Sequence, residues 1–112
     1  MLRTPSDFAA LSAAPGVTTP LLGVRHRTVA ATDSTPSLRL GIATSRKVGN
    51  AVVRNRIRRR LKSIARELAP QVHPGAEILI GVRTAASTAT SAELRAALTD
   101  CLRRARLIEV SA

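Results

Sequence analysis

Aromatic side chains are almost absent from this 112-residue chain: Phe8 stands alone, with no tyrosine and no tryptophan. Its core must therefore be built from Leu, Ile, Val and Ala. A single cysteine, Cys101, excludes an internal disulfide and any cysteine-cluster zinc site. Its place between Leu98 and Leu102 on an apolar helical face reads as a buried small residue rather than a nucleophile. The two histidines, His26 and His73, lack metal-ligand spacing. No apolar run approaches the ~18 residues of a membrane helix, so no membrane partner is expected. The start, Met1 to Asp7, has no apolar signal-peptide core, and a cytoplasmic location is the expectation. Acids are scarce too. Asp7, Asp33, Glu67, Glu77, Glu93, Asp100 and Glu109 are scattered along the chain and none adjoins a histidine. A protein-only nuclease would need paired carboxylates for metals or an acid/base pair, so independent catalysis is not expected and no catalytic residue is assigned.

What the chain does have is positive charge. Eighteen Lys+Arg against seven Asp+Glu give a formal net charge of +11, and only Lys47 and Lys62 are lysine. Such an excess on a domain of this size opposes compaction and favours a polyanionic partner. Arginine suits planar, bidentate contact with phosphate. The length allows one domain, residues 1–112, and the apolar fraction of 45% is that of a globular chain.

Ser6-Asp7 ahead of Phe8-Ala9-Ala10-Leu11 reads as a helix cap and a short apolar turn, ended by Pro15-Gly16. Residues 17–31 read as a strand, preceded by a short extra one near Val17. Residues 32–37 are polar and read as a hairpin connection to a second strand over 38–45. Residues 46–50 form a turn, 51–68 carry helical spacing, and Pro70 stops the helix. Residues 77–83 are a continuous apolar run, expected to be the central strand. After the small-residue loop 85–90, Ser91 is read as the cap of a last helix that reaches about Ala105, with Glu93 in its first turn.

The informative stretch is Ser45 to Lys62. Nine basic residues and no acid lie between Arg46 and Arg66. At about 100° per residue, Val53, Ile57, Leu61, Ile64 and Leu68 fall within about 80° of one another and form the buried stripe. Arg54, Asn55, Arg58, Arg59, Lys62 and Arg66 spread over about 140° on the opposite side, and Arg56 and Arg60 flank the stripe. Most charged helix faces are merely solvated. Here Arg54, Arg58 and Lys62 repel at i,i+4 spacing, and the basic first turn opposes the helix dipole. A bound polyanion would offset both penalties. Asn55 reads equally as a cap or backbone contact or as a reader of a base or ribose edge. Gly49 makes the turn into the helix or delivers backbone N–H groups to a phosphate.

These residues resemble the protein subunit of bacterial ribonuclease P. That family's signature, S-x-K-x-G-x-A-V-x-R-N followed by helically spaced basic residues, is met by Ser45, Lys47, Gly49, Ala51, Val52, Arg54 and Asn55, then Arg58, Arg59 and Lys62. The start, with Asp7-Phe8, is similar to the family's N-terminal helix. The resemblance implies a two-layer α/β sandwich of α-β-β-β-α-β-α order, ribosomal-protein-like, with a left-handed β-α-β crossover through the basic helix. It also implies a partner, the ribonuclease P RNA subunit, bound by the helix and by Arg46 and Lys47 before it, in a 1:1 ribonucleoprotein. The RNA would carry the catalytic Mg²⁺ and cleave precursor tRNA to form the mature 5′ end. No cofactor or metal is assigned to the protein. The 5′ leader would lie in a cleft between the sheet and the first helix, with Phe8, Arg27 and Arg83 as candidate contacts. The family usually has more aromatics there; in this chain Ser12 sits one turn after Phe8, and Arg27 stands about where a strand aromatic is usual. Leader contacts are thus expected to lean on charge and aliphatic packing. The alternative is a ribosomal or other structural-RNA-binding protein without a nuclease role, which composition by itself does not separate. A DNA-binding protein is a distant third, because no helix-turn-helix pair surrounds the basic helix.

Overall fold

The computed structural model describes residues 14–29 and 38–108. The expected first helix with Phe8 and Ser12 lies outside the described residues, as do Asp7, Asp33 and Glu109. The described chain runs β1 (Gly16–Thr18), β2 (Leu22–Thr28), β3 (Leu38–Ala43), α1 (Ala51–Leu68), β4 (Ala76–Val82) and α2 (Ser91–Arg104), with short 3₁₀ turns at Ala69–Gln71 and Thr84–Thr88. This is the mixed α/β order expected from the sequence.

The four strands form one sheet in the order β1-β2-β4-β3. β4 is central: it pairs antiparallel with β2 and parallel with β3. That corrects the expected hairpin. β2 and β3 are not neighbours, because the crossover through α1 returns β4 between them. The reason is burial. β4 is the most continuously apolar strand, and a strand that gives most of its side chains to the core gains most from a backbone partner on each edge. A polar loop between two strand patterns reports that the chain turns, not which strand fills the gap.

Alternation on β2 and β4 sends Leu22, Val24, Ala76, Ile78 and Ile80 to one face, where they are fully buried. α1 contributes Ile57, Leu61, Ile64, Ala65 and Leu68 to this core, and α2 adds Leu94, Leu98, Cys101 and Leu102. The buried stripe expected of α1 is thus observed, with Val53 partly buried at its margin. The last helix begins one residue earlier than expected. Thr90, not Ser91, is its cap: its hydroxyl accepts from the Glu93 backbone N–H at 3.1 Å, and the Glu93 carboxylate accepts from the Thr90 N–H at 2.9 Å. This reciprocal box fixes the register, since only a cap at position 90 puts Glu93 at the third helical residue. These bonds, the backbone one first, hold the Glu93 carboxyl below its ordinary value.

Two glycines are sterically required. A Cβ on Gly75, whose φ is +84°, would meet the Val29 carbonyl oxygen at 2.2 Å, so the turn into β4 closes only with glycine. At Gly49 the nearest atom would be Val53 Cγ1 at 2.9 Å, which explains the glycine ahead of α1 by close approach.

Cys101 is buried, and desolvation pushes its thiol up to about 11, with the Asp100 charge adding and Arg104 opposing. Native protein at pH 8 should react with iodoacetamide at least about 100-fold more slowly than protein in denaturant. Equal rates would place the thiol at the surface. Because the folded value lies above the unfolded one, the thiol's contribution to stability is complete below the unfolded value near 8.5. It is lost as pH rises through about 11.

Candidate nucleic-acid interface

α1 starts where Asn50 caps it, its side-chain oxygen accepting from the Val53 N–H at 3.0 Å. This settles Asn55: it is not the cap. It is exposed, and its side chain makes no hydrogen bond among the described residues. The first turn carries no acid and the last turn carries Arg66.

The basic residues of α1 divide into two sets. Arg56 and Arg60, beside the buried stripe, donate toward the Ser87 and Ala89 carbonyls at 3.5 and 3.4 Å. They tie α1 to the segment that leads into α2. On the other side Asn55, Arg59, Lys62 and Arg66 are exposed, and Arg54 and Arg58 are half-buried. Arg46 and Lys47, in the turn before the helix, are exposed as well. Among the described residues none of these cations pairs with an acid.

The described acids are all engaged elsewhere. Glu67 pairs with Arg95 of α2, Asp100 with Arg104 at 3.4 Å, and Glu93 closes the capping box. Glu77 is fully buried on β4, between Arg27 of β2 (Nε to Oε1, 2.5 Å) and Arg39 of β3 (Nη1 to Oε2, 2.6 Å). Register explains that cluster, because Arg27 and Arg39 both sit directly opposite Glu77. Among the described residues no group of three His, Cys, Asp or Glu could hold a metal ion.

One residue of the basic face is apolar. Val52 is 71% exposed and, with Asn55, Arg58, Arg59 and Lys62, lines a concavity of about 570 Å³. Reading for charge alone passes over it, although the same helical arithmetic puts it about 20° from Arg59, well away from the buried stripe.

The face of the sheet opposite the helices carries the leader-cleft candidates. Arg27 stands at one end, committed to Glu77. Arg83 is exposed just beyond β4 at the other end, its backbone N–H bonded to the Leu21 carbonyl at 2.9 Å. Six residues of strand separate their positions, roughly 20 Å at 3.3 Å per residue. Between them lies a hollow of about 320 Å³ lined by Gly16, Gly23, Arg25, Ala43, Leu79 and Gly81. The paired glycines Gly23 and Gly81 leave bare peptide as part of its floor. Phe8 lies outside the described residues.

The family model of ribonuclease P matches residues 1–106. The chain belongs to the ribonuclease P protein family. The ribonuclease P protein component of Mycobacterium sp. (strain KMS) is 41% identical over 75 residues, and that of Lactiplantibacillus plantarum 36% identical over 74 residues. Each alignment covers 66% of this chain but only 64% and 65% of those relatives' own lengths. Among solved structures, the Thermotoga maritima RNase P protein superposes with a TM-score of 0.78 at 25% identity, covering 97% of both chains. The Staphylococcus aureus RNase P protein, 22% identical, gives 0.81 over 99% of this chain and 92% of that one, which shows the shared fold. No helix among the described residues is long and apolar enough to cross a membrane.

Proposed function

We propose that this protein is the RNA-binding subunit of ribonuclease P. It binds the catalytic RNA through the exposed face of α1 and the preceding turn, and it helps that RNA remove the 5′ leader from precursor tRNA. The observation that carries this reading is the one-sided charge of α1. Arg46, Lys47, Arg54, Arg58, Arg59, Lys62 and Arg66 are unpaired among the described residues, while every described acid is engaged elsewhere. Like charges stacked at i,i+4 with no internal relief favour a ligand that supplies the counter-charge, and a phosphate backbone does so at repeated spacing. Asn55, held by no capping role, is available to a base or ribose edge.

The leader runs along the sheet face opposite α1 and α2, from Arg83 toward Arg27. With two glycines in the floor of the hollow between them, stacking on aromatics is replaced by contact with bare peptide and by positive charge. In this reading the phosphodiester chemistry and its Mg²⁺ reside on the RNA. The protein acts as a monomer in a 1:1 ribonucleoprotein in the cytoplasm.

Purified protein with Mg²⁺ is expected to leave precursor tRNA intact, and addition of the RNA subunit to yield the mature 5′ end. Turnover that persists without RNA through stringent purification would overturn the placement of the chemistry on the RNA. In the reconstituted enzyme, Arg83→Ala should weaken binding of leader-bearing tRNA several-fold and leave mature tRNA unaffected. Equal losses on both would remove Arg83 from the leader path.

A further inference from the structure

We propose that the groove between α1 and the edge strand β3 is a second RNA subsite, which takes up an unpaired nucleotide of a strand whose phosphates lie on the α1 face. This rests on the RNA-binding reading of that face. The groove, about 220 Å³, is lined by Leu38 and Leu40 of β3, by Lys62, Ala65 and Arg66 of α1, and by Ala69 just beyond it.

Three features select the occupant. The floor is aliphatic while the rim is Lys62 and Arg66, both exposed and both unpaired among the described residues. The occupant therefore combines an apolar body with negative charge, as a nucleotide does with its base and phosphate. Lys62 also lines the concavity around Val52, Asn55, Arg58 and Arg59, so the groove continues the basic face along α1. A strand whose phosphates follow Arg58 and Arg59 reaches the groove at Lys62 without leaving positive surface. Finally, among the described residues β3 lies at the edge of the sheet, so the groove opens at the side of the sheet rather than beneath a further strand. A single base can enter from that side, whereas a paired base carries its partner with it. A base already stacked and paired in a duplex could not enter, which makes the subsite selective for single strands.

The test compares a short single-stranded RNA with a blunt duplex of the same sequence, binding each across a salt series. Ala69→Leu, which fills the groove, should weaken the single strand about fivefold, the lower end of what a base stacked on an aromatic contributes and apt for an aliphatic floor. It should leave the duplex unchanged in both affinity and salt slope, because no contact of the duplex lies in the groove. Equal weakening of both probes, or of neither, overturns the subsite. Thermal unfolding checks that Ala69→Leu folds. Should it not, Ala69→Met, which occupies the same groove with a more adaptable side chain, decides the matter: it should weaken the single strand several-fold and spare the duplex. An equal change on both probes overturns the proposal by that route. Arg58→Ala serves as the reference and should flatten the slope for both RNAs. A silent Arg58→Ala combined with an active Ala69→Leu would condemn the reading of the basic face while sustaining the groove. The reverse pattern would condemn the groove alone.

Discussion

Replacing Arg58, Arg59 and Lys62 together with alanine should reduce affinity for a ribonuclease P RNA transcript roughly 50-fold at 0.15 M salt. The three side chains line one concavity of α1, and two of them are exposed. Each phosphate contact contributes about 0.7 to the slope of log K against log salt, on the order of fourfold per contact between 1 M and 0.15 M salt. The triple variant should accordingly flatten the slope by about 2 units, and its affinity should converge on that of the unmodified protein as salt approaches 1 M. Stability should hold or rise, because removing like charges at i,i+4 relieves repulsion by a few tenths of a kcal/mol per pair. Arg95→Ala is the matched control. It also removes one exposed arginine, but one that pairs with Glu67 where α2 meets α1. It should leave the slope alone. If Arg95→Ala and the triple variant flatten the slope in proportion to charge removed, binding follows net charge and the α1 face has no privileged role.

Glu77→Ala should lower the thermal midpoint by about 15 °C. The carboxylate is completely buried in the centre of the sheet and bonds guanidinium groups from both neighbouring strands. Removing one partner of a buried ion pair costs about 3–5 kcal/mol, because the remaining charge loses the counter-charge it was packed against. Here the side chains of Arg27 and Arg39 retain 34% and 31% exposure, so water screens part of the loss and about 3 kcal/mol is expected. For a domain of this size 1 kcal/mol moves the midpoint by about 4–8 °C. Glu77→Gln separates charge from shape. It keeps the volume but turns an amide N–H₂ toward one guanidinium, and it should recover less than half of the loss. A midpoint within about 3 °C of the unmodified protein for Glu77→Ala would mean that both arginines swing to solvent and that the cluster holds nothing together.

Local pattern was enough for much of this molecule. α1 spans Ala51–Leu68 as read from the helical spacing, since five apolar residues on one stripe and cations on the other leave a helix one way to sit on a core. The short extra strand near Val17 and the central place of β4 were legible in the same way, from alternation and from a continuous apolar run. The ordered string from Ser45 to Asn55 carried the family, because it fixes chemistry at set spacings along the chain. In contrast, strand neighbours were not legible. The loop between β2 and β3 looks the same whether the strands pair or admit a third between them, and only the competition of whole strands for burial puts β4 there. Glu77 shows the consequence. In the sequence it is one acid among scattered acids, 50 positions from Arg27 and 38 from Arg39. Strand register places all three in one row across the sheet, and a leader-cleft candidate becomes one of two arginines that hold a buried carboxylate. The groove between α1 and β3 arises likewise, from residues of two elements that no local spacing connects. Side-chain periodicity is a property of the single element and is written in the sequence. Which charges meet, and which surfaces are left open between elements, depends on packing the elements together.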